Sequence, residues 1–184
     1  GQAALDGCEI VGAAWTAVLA GGTGSLALRD CRVSNPQGAG IVVTSTTPTT
    51  VESCTFEHLG TSGLVLAEQG EARLRGCTVR AARGNGLLAN GDSTGSVEDC
   101  DISSTDKPSI ALEQNCSLTV VRTVVHDTSI GVHLSSAGRT TLEDVRVTGA
   151  SGNGIALAGG TDPVLRRCRV SRTRGHGILV TDRA

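Results

Sequence analysis

A repeat of 23 residues constrains the fold of this chain more than any other feature of its sequence. The repeat is marked by a position that holds cysteine in six of eight copies: Cys8, Cys31, Cys54, Cys77, Cys100, Thr123, Val145 (after a one-residue deletion) and Cys168. An apolar residue stands three positions before this site and another two positions after it in every copy. A fixed repeat of about 20–50 residues is typical of stacked structural units, so the sequence predicts a solenoid.

A second apolar segment follows about ten residues after the cysteine position. It reads GIVV at 40–43, GLVL at 63–66 and GIAL at 154–157, with a weaker AVLA at 17–20 in the first copy. The short alternating segments indicate β-strands, and copies that stack in one direction form parallel sheets with right-handed crossovers. We therefore predict an all-β fold, a single right-handed parallel β-helix of about eight rungs of 22–24 residues, forming one domain over residues 1–184. A leucine-rich repeat is the rival, but its LxxLxLxxN consensus and helical half are missing.

The pattern L-x-x-C-x-V…G-I-x-V resembles the pectate-lyase-like β-helix repeats of many bacterial proteins, and the resemblance covers the whole chain. Such repeats occur in polysaccharide lyases, hydrolases and epimerases and also in non-catalytic domains, so the resemblance implies a fold rather than an activity. Cysteine-bearing repeats rich in Arg and poor in Lys also occur as appendages of actinobacterial AAA-type ATPases. This chain is similar in having the single lysine Lys107, although it carries no phosphate-binding GxxxxGK[ST] loop.

The overall charge and hydropathy argue against two classes of partner. The net charge of −2 gives no electrostatic basis for binding nucleic acid. No apolar run approaches the roughly 20 residues of a membrane-spanning helix. We therefore expect neither nucleic acid nor a membrane as a partner.

The cysteine column has two interpretations, a metal or redox ladder and a stack of small buried side chains. In-register stacking separates neighbouring Cβ atoms by almost 5 Å, beyond the usual disulfide range of about 3.5–4.5 Å, and no C-x₂₋₄-C pair is present to suggest zinc. We favour reduced, buried thiols with no metal and no cofactor, and hence a cytoplasmic location. Cys116 lies outside the column, in a turn, and is expected to be the most exposed thiol.

Charged residues alternate in sign along two columns of the repeat. The first column reads Asp6, Arg29, Glu52, Arg75, Glu98, Val121, Glu143 and Arg166, and the second ends in Asp99, Arg122, Asp144 and Arg167. Stacking would place each charge beside its opposite on the next rung, so we interpret these residues as structural pairs rather than catalytic groups.

A polar face in the middle of the chain is the best candidate for an active site. Its members are Glu57, Arg80, Ser103 and His126 in one column, His58 and Asp127 in the next, and Arg83, Asp106 and Lys107 in the adjoining turn. An enzyme acting on acidic sugars could neutralise a carboxylate with Arg83 or Lys107 and remove the α-proton with His126. The alternative, which we favour, is an ordinary polar surface.

Two further residues draw attention for their chemistry. His176 lies in a GHG motif similar to that of polygalacturonase-type hydrolases, but the repeat has GNG at 84–86 and 152–154, which assigns the glycines to a turn. Trp15 is the only tryptophan. It could be an exposed binding anchor or could cover the end of the first rung, and we favour the covering role.

The sequence therefore favours a non-catalytic β-helix scaffold that presents a rigid face to a protein or glycan partner, with a polysaccharide-active enzyme as the alternative. The chain enters the repeat by Leu5 and stops at Ala184 without a polar capping repeat. Because solenoids need caps, we expect a fragment of a longer protein, or ends that are covered by an appended domain, a partner or end-to-end association.

Overall fold

The computed structural model describes residues 1–181, which form three parallel β-sheets of eight strands each and contain no helix. Each rung, meaning one turn of the solenoid, contributes one strand to every sheet, so rung 1 holds the first three strands and rung 8 the last three. The predicted all-β solenoid of about eight rungs is confirmed.

The strands of each sheet follow one another at every third element. The first sheet contains β1 (Gln2–Asp6), β4 (Ser25–Arg29), β7 (Thr49–Glu52), β10 (Glu71–Arg75), β13 (Thr94–Glu98), β16 (Ser117–Val121), β19 (Thr141–Glu143) and β22 (Val164–Arg166). The second contains β2 (Glu9–Val11), β5 (Arg32–Ser34), β8 (Thr55–Leu59), β11 (Thr78–Ala82), β14 (Asp101–Thr105), β17 (Val124–His126), β20 (Arg146–Thr148) and β23 (Arg169–Ser171). The third contains β3 (Thr16–Ala20), β6 (Ala39–Val43), β9 (Leu64–Leu66), β12 (Leu87–Ala89), β15 (Ile110–Gln114), β18 (Val132–Ser136), β21 (Ile155–Leu157) and β24 (Ile178–Val180).

The core runs along the axis of the solenoid, where the inward side chains of the three sheets meet. Leu28, Val33 and Ile41 represent the three sheets in rung 2, and each is almost completely buried. Their equivalents stack directly above them, as in the pairing of Leu28 with Val51 and of Val33 with Phe56. The 23-residue spacing of the sequence is thus the register of the parallel sheets.

The cysteine column lies at the corner between the first and second sheets. The thiol of Cys31 donates a hydrogen bond to the Arg29 carbonyl at 3.2 Å, and Cys100 repeats this contact with Glu98 at 3.2 Å. Thr123 stands in the same position, and its hydroxyl donates to the Val121 carbonyl at 3.0 Å. At this corner a small buried S–H or O–H group therefore donates a hydrogen bond to the backbone carbonyl two residues earlier. All seven cysteines are free, while the reducing, cytoplasmic setting stays a prediction.

The residue before this corner has left-handed backbone geometry in every rung. Only two copies use glycine, and the full column is Gly7, Asp30, Ser53, Gly76, Asp99, Arg122, Asp144 and Arg167. The side chains of this column point outward beside those of the first sheet, where Arg122 pairs with Asp99 at 2.7 Å and Arg167 with Asp144 at 2.8 Å. The predicted pairing of opposite charges between rungs is confirmed for these two pairs and for Arg29 with Glu52 at 3.0 Å, and all three pairs are exposed.

Gly63, the glycine that opens the G-I-x-V segment in rung 3, has no room for a side chain inside the solenoid. A Cβ atom added at Gly63 would lie 2.5 Å from Cγ1 of Val79 and 2.6 Å from the carbonyl oxygen of Gly86. Ordinary contacts between carbon atoms are about 3.5–4.0 Å long. This position is therefore kept free of a side chain by the core residue of the second sheet and by the next rung.

The expectation for Cys116 was wrong, because this thiol is completely buried rather than exposed. The turn that leads from the third sheet to the next rung directs this position into the core, where Ser93 occupies the equivalent site in the preceding rung and is also buried. The Cys116 thiol donates to the Ala89 carbonyl at 3.5 Å, and burial raises its pKa. Turns in this fold are not uniformly solvent-facing.

The expected uncapped end falls on residues 182–184, which lie outside the described residues. The expectations of a longer parent protein, an appended domain and end-to-end association stay predictions.

Candidate functional site

A wide depression lies on the outer face of the second sheet, over rungs 6 to 8. We call it the arginine groove; it has a volume of about 780 Å³. Its lining residues are Val124, His126, Asp127, Arg146, Thr148, Gly149, Arg169, Ser171 and Arg172. They belong to three columns of the repeat, two of which are set by the pairing of β17, β20 and β23.

The first column of the groove places two arginines side by side. Val124 pairs with Arg146, and Arg146 pairs with Arg169 on the next rung. Adjacent parallel strands lie about 4.8 Å apart, so these like charges are direct neighbours, an arrangement that destabilises a sheet. The sign alternation of the other charged columns fails here.

The arginines of the groove differ from most others in lacking an ion-pair partner within residues 1–181. The arginines that form ion pairs there are Arg29, Arg32, Arg73, Arg75, Arg80, Arg122 and Arg167. Arg146, Arg169 and Arg172 are exposed and are not in that set. Within residues 1–181, three guanidinium groups thus border one depression without forming an ion pair with a protein carboxylate.

Hydroxyl groups form the floor between these arginines. Thr148 Oγ1 accepts a hydrogen bond from Ser171 Oγ at 3.3 Å and another from Arg172 Nε at 3.2 Å. A hydroxyl that accepts twice still has its own proton to donate. The floor therefore offers an O–H donor from Thr148 in addition to the N–H donors of the arginines.

His126 lies at the rung 6 end of the groove, held between two carboxylates. Its Nδ1 is 2.8 Å from Asp127 Oδ2, and its Nε2 is 3.1 Å from Asp101 Oδ1. The hydrogen bond to Asp127 raises the pKa of the imidazole above its usual 6.5, against the opposing effect of burial, and Asp101 adds to the increase. In the protonated state both ring N–H groups are used by these carboxylates, so neither nitrogen is free to accept a proton from a ligand.

The structure separates the residues of the predicted polar face. Arg83 borders a different depression of about 200 Å³, together with His58, and Lys107 is exposed in the turn of rung 5. Neither cation lines the groove that contains His126 and Asp127. A joint role for Arg83 or Lys107 with His126 stays a prediction, and the cations that do share a groove with His126 are Arg146, Arg169 and Arg172.

The column of Glu57, Arg80, Ser103 and His126 exists as predicted, because these residues are register partners. Glu57 is only 5% exposed and is enclosed by Arg32 at 2.6 Å and Arg80 at 2.5 Å. Arg80 holds the pKa of this carboxyl below its ordinary 4.5, against the effect of burial. Glu57 is therefore an ionised structural group between two arginines.

His176 and Trp15 lie elsewhere on the solenoid. His176 is exposed in the turn of rung 8, where its backbone N–H donates to Asn153 Oδ1 at 2.9 Å, in agreement with a turn position. Trp15 does not cover the first rung as favoured from the sequence, because it is 85% exposed. Only its backbone carbonyl is engaged, by Asn35 Nδ2 at 2.9 Å. The binding role of Trp15 stays a prediction.

The arginines of the groove were missed in the sequence although a signal was present. Arg146 and Arg169 are 23 residues apart and occupy the same repeat position. Alignment of this column across the repeats shows two positive charges in succession, whereas charges on adjacent rungs of the two alternating columns have opposite signs. The contribution of Arg172 needed the structure, since it lies at a corner rather than on a strand.

Within residues 1–181 there is no group of three or more His, Cys, Asp or Glu side chains arranged to hold a metal ion. In the same residues no helix is long and apolar enough to cross a membrane.

Comparison with known proteins identifies the family. The family model described as "right handed beta helix region" matches residues 62–184. No curated protein and no solved structure gives a significant match. Because the match covers more than half of the chain and agrees with the three stacked parallel sheets, the chain belongs to the right-handed β-helix family.

Proposed function

We propose that this chain is a non-catalytic β-helix interaction module that holds an anionic glycan in the arginine groove. The observation that carries the proposal is the meeting of three arginines without ion-pair partners among residues 1–181 at one depression of about 780 Å³. Ligand sites commonly have volumes of about 300–1,000 Å³. The groove therefore has the size and the charge for a small anionic ligand or for part of a larger one.

The fold supports such a role by fixing the spacing of the cationic groups. Arg146 and Arg169 stand on adjacent strands of a continuous parallel sheet, and Arg146 N donates to the Thr123 carbonyl at 3.0 Å while Arg169 N donates to the Val145 carbonyl at 2.9 Å. Little backbone ordering would then be needed on binding, which lowers its entropic cost.

The lining of the groove favours a glycan over a protein. Val124 is its only apolar side chain, and Thr148 and Ser171 contribute hydroxyls. Protein interfaces instead centre on apolar and aromatic residues that become fully buried. Hydroxyl and guanidinium groups suit a ligand that carries both hydroxyls and negative charge.

A binding role agrees with the state of His126 better than catalysis does. A general base needs a free nitrogen within reach of the proton that it removes. Both nitrogens of His126 face carboxylates instead, at 2.8 Å and 3.1 Å. The imidazole is thus suited to adding positive charge at one end of the groove.

The test is titration calorimetry with polygalacturonate, dextran sulfate, neutral dextran and polyglutamate. We expect the anionic glycans to bind with an affinity that falls with added salt, and neutral dextran not to bind. The double variant Arg146→Gln/Arg169→Gln should lose about tenfold or more in affinity, since charge-assisted hydrogen bonds are removed.

The matched control is Arg139→Gln/Arg166→Gln, which removes the same net charge from two exposed arginines outside the groove. It should retain wild-type affinity. Equal losses in the two double variants would show that binding follows net charge and would overturn the assignment to the groove. Selective binding of polyglutamate would replace the glycan by a protein partner, and cleavage of a glycan in the calorimeter cell would replace the module by an enzyme.

A further inference from the structure

The charge within the groove exceeds what a single carboxylate can neutralise. Its lining contains the three cations Arg146, Arg169 and Arg172 and the one anion Asp127, which leaves a net charge of +2 when His126 is neutral and +3 when it is protonated. A carboxylate group supplies one negative charge. A doubly charged group would balance all or most of this charge and relieve the repulsion between Arg146 and Arg169.

The arrangement of the donors also favours a tetrahedral group over a planar one. Arg146 and Arg169 stand in one column, and Arg172 stands in the corner column on the other side of the Thr148–Ser171 floor. A carboxylate can accept from two arginines, as Glu57 does from Arg32 and Arg80, but its acceptor sites lie close to one plane. A tetrahedral group has three or four oxygens in different directions and can accept from donors on both sides of the floor at once.

The floor supplies a further donor at the centre of this arrangement. Thr148 Oγ1 already accepts from Ser171 and Arg172, so its own proton is available to an acceptor above it. The Nε of Arg172 is used by Thr148, which leaves the Nη groups of this arginine to the ligand. The groove thus combines N–H and O–H donors along one depression.

We infer that the arginine groove is a site for the phosphate monoester group of a glycan, a tetrahedral group that carries close to two negative charges near neutral pH. The inference rests on the proposed function and adds the chemistry of the charged group. A sulfate ester shares the tetrahedral shape with one charge, and a uronate shares neither the shape nor the second charge. Charge and shape together select the phosphate ester.

The test compares four sugars of similar size by NMR titration of the whole chain: glucose 6-phosphate, glucose 6-sulfate, glucuronate and glucose. The readout is the saturable movement of the backbone amide signals of Thr148, Gly149 and Ser171. We expect affinity to fall in the order given, with glucose 6-phosphate at least about tenfold tighter than glucuronate, as the loss of charge-assisted hydrogen bonds requires. Acidification through about pH 6 should weaken the phosphate ester relative to the sulfate ester, because only the former gains a proton there, whereas protonation of His126 acts on both ligands.

The variant Arg172→Gln tests the geometry, since it removes the donor on the far side of the floor. It should lower the affinity for glucose 6-phosphate more than that for glucuronate, and Arg139→Gln should change neither. Titration with inorganic phosphate distinguishes recognition of the phosphate from recognition of the sugar. An affinity equal to that of glucose 6-phosphate assigns recognition to the phosphate alone, and tighter binding of glucose 6-phosphate indicates additional contacts to the sugar. Glucuronate binding as tightly as the phosphate would overturn this inference and leave the proposed function standing. Failure of all anions, polymeric ones included, would overturn both.

Discussion

Substituting Gly63 by alanine tests whether the close packing of the next rung against this residue excludes a side chain. The added Cβ would lie 2.5 Å from Val79 Cγ1 and 2.6 Å from the Gly86 carbonyl oxygen. Each neighbour must move by about 1 Å to restore an ordinary contact, and one of them is backbone that is part of the parallel ladder. Overpacking of this kind costs about 1–3 kcal/mol.

The chain supplies its own control at the same position of the repeat. A Cβ added at Gly177 would have its nearest neighbour, Val170 Cγ1, at 4.0 Å. The φ angles of Gly63 and Gly177 both lie outside the left-handed region. Gly177→Ala should therefore be neutral or should stabilise the protein by about 0.4–1 kcal/mol, because alanine restricts the unfolded chain.

The assay is thermal unfolding followed by circular dichroism for both variants. For a chain of this length, 1 kcal/mol corresponds to about 2–4 °C, so Gly63→Ala should lower the first transition by about 2–12 °C. Adding Val79→Ala to Gly63→Ala should cost less than the sum of the two single effects, since one of the two close contacts is removed. Equal shifts for Gly63→Ala and Gly177→Ala, or a stabilised Gly63→Ala, would refute the reasoning.

Three further predictions concern buried and paired groups. Glu57→Gln should lower stability by about 1–3 kcal/mol at neutral pH in urea unfolding, whereas Glu52→Gln, whose pair with Arg29 is exposed, should cost about 0–1 kcal/mol. Because Arg80 lowers the folded-state pKa of Glu57, the ionised carboxylate stabilises the fold above its unfolded-state pKa, and this contribution is lost as the pH falls through the folded-state value. The difference in unfolding free energy between the native protein and Glu57→Gln should therefore shrink in acid, and a difference that stays constant would contradict this. Asp127→Asn should lower the pKa of His126 in an NMR titration, since Asp127 is the main cause of its increase. The stability that His126 contributes is fully present below its unfolded-state pKa and is lost as the pH rises through the higher folded-state value. The loss of unfolding free energy over this pH range should therefore be smaller in Asp127→Asn. In the native protein a thiol reagent followed by mass spectrometry should label the half-buried Cys8 and Cys168 before the fully buried Cys116, and early labelling of Cys116 would contradict its burial.

The positions on strands were predictable because a parallel stack converts sequence spacing directly into spatial neighbours. Residues 23 apart are register partners, so the columns of core residues and the opposite charges of Arg29 and Glu52 follow from alignment of the repeats. The same logic would have revealed the pair Arg146 and Arg169.

Side-chain directions at corners were not predictable in this way. Cys116 and Trp15 both lie between strands, and both were misjudged: the first is buried and the second is exposed. The direction of a corner residue depends on local φ and ψ angles, and the strand period of two does not continue through a corner. Repeat position alone cannot decide which of the two directions applies.

The sequence by itself therefore determined the stacking of the copies into parallel sheets, their register and the core, since these depend on a periodic pattern that only stacking can bury. The tertiary structure alone decided which polar residues meet at one place. Arg172 reaches Thr148 because a left-handed corner turns its side chain back toward the second sheet, whereas Arg83 and His126 border separate depressions. The meeting of polar side chains depends on the direction of the backbone at the corners, which the repeat does not determine. The arginine groove results from that direction.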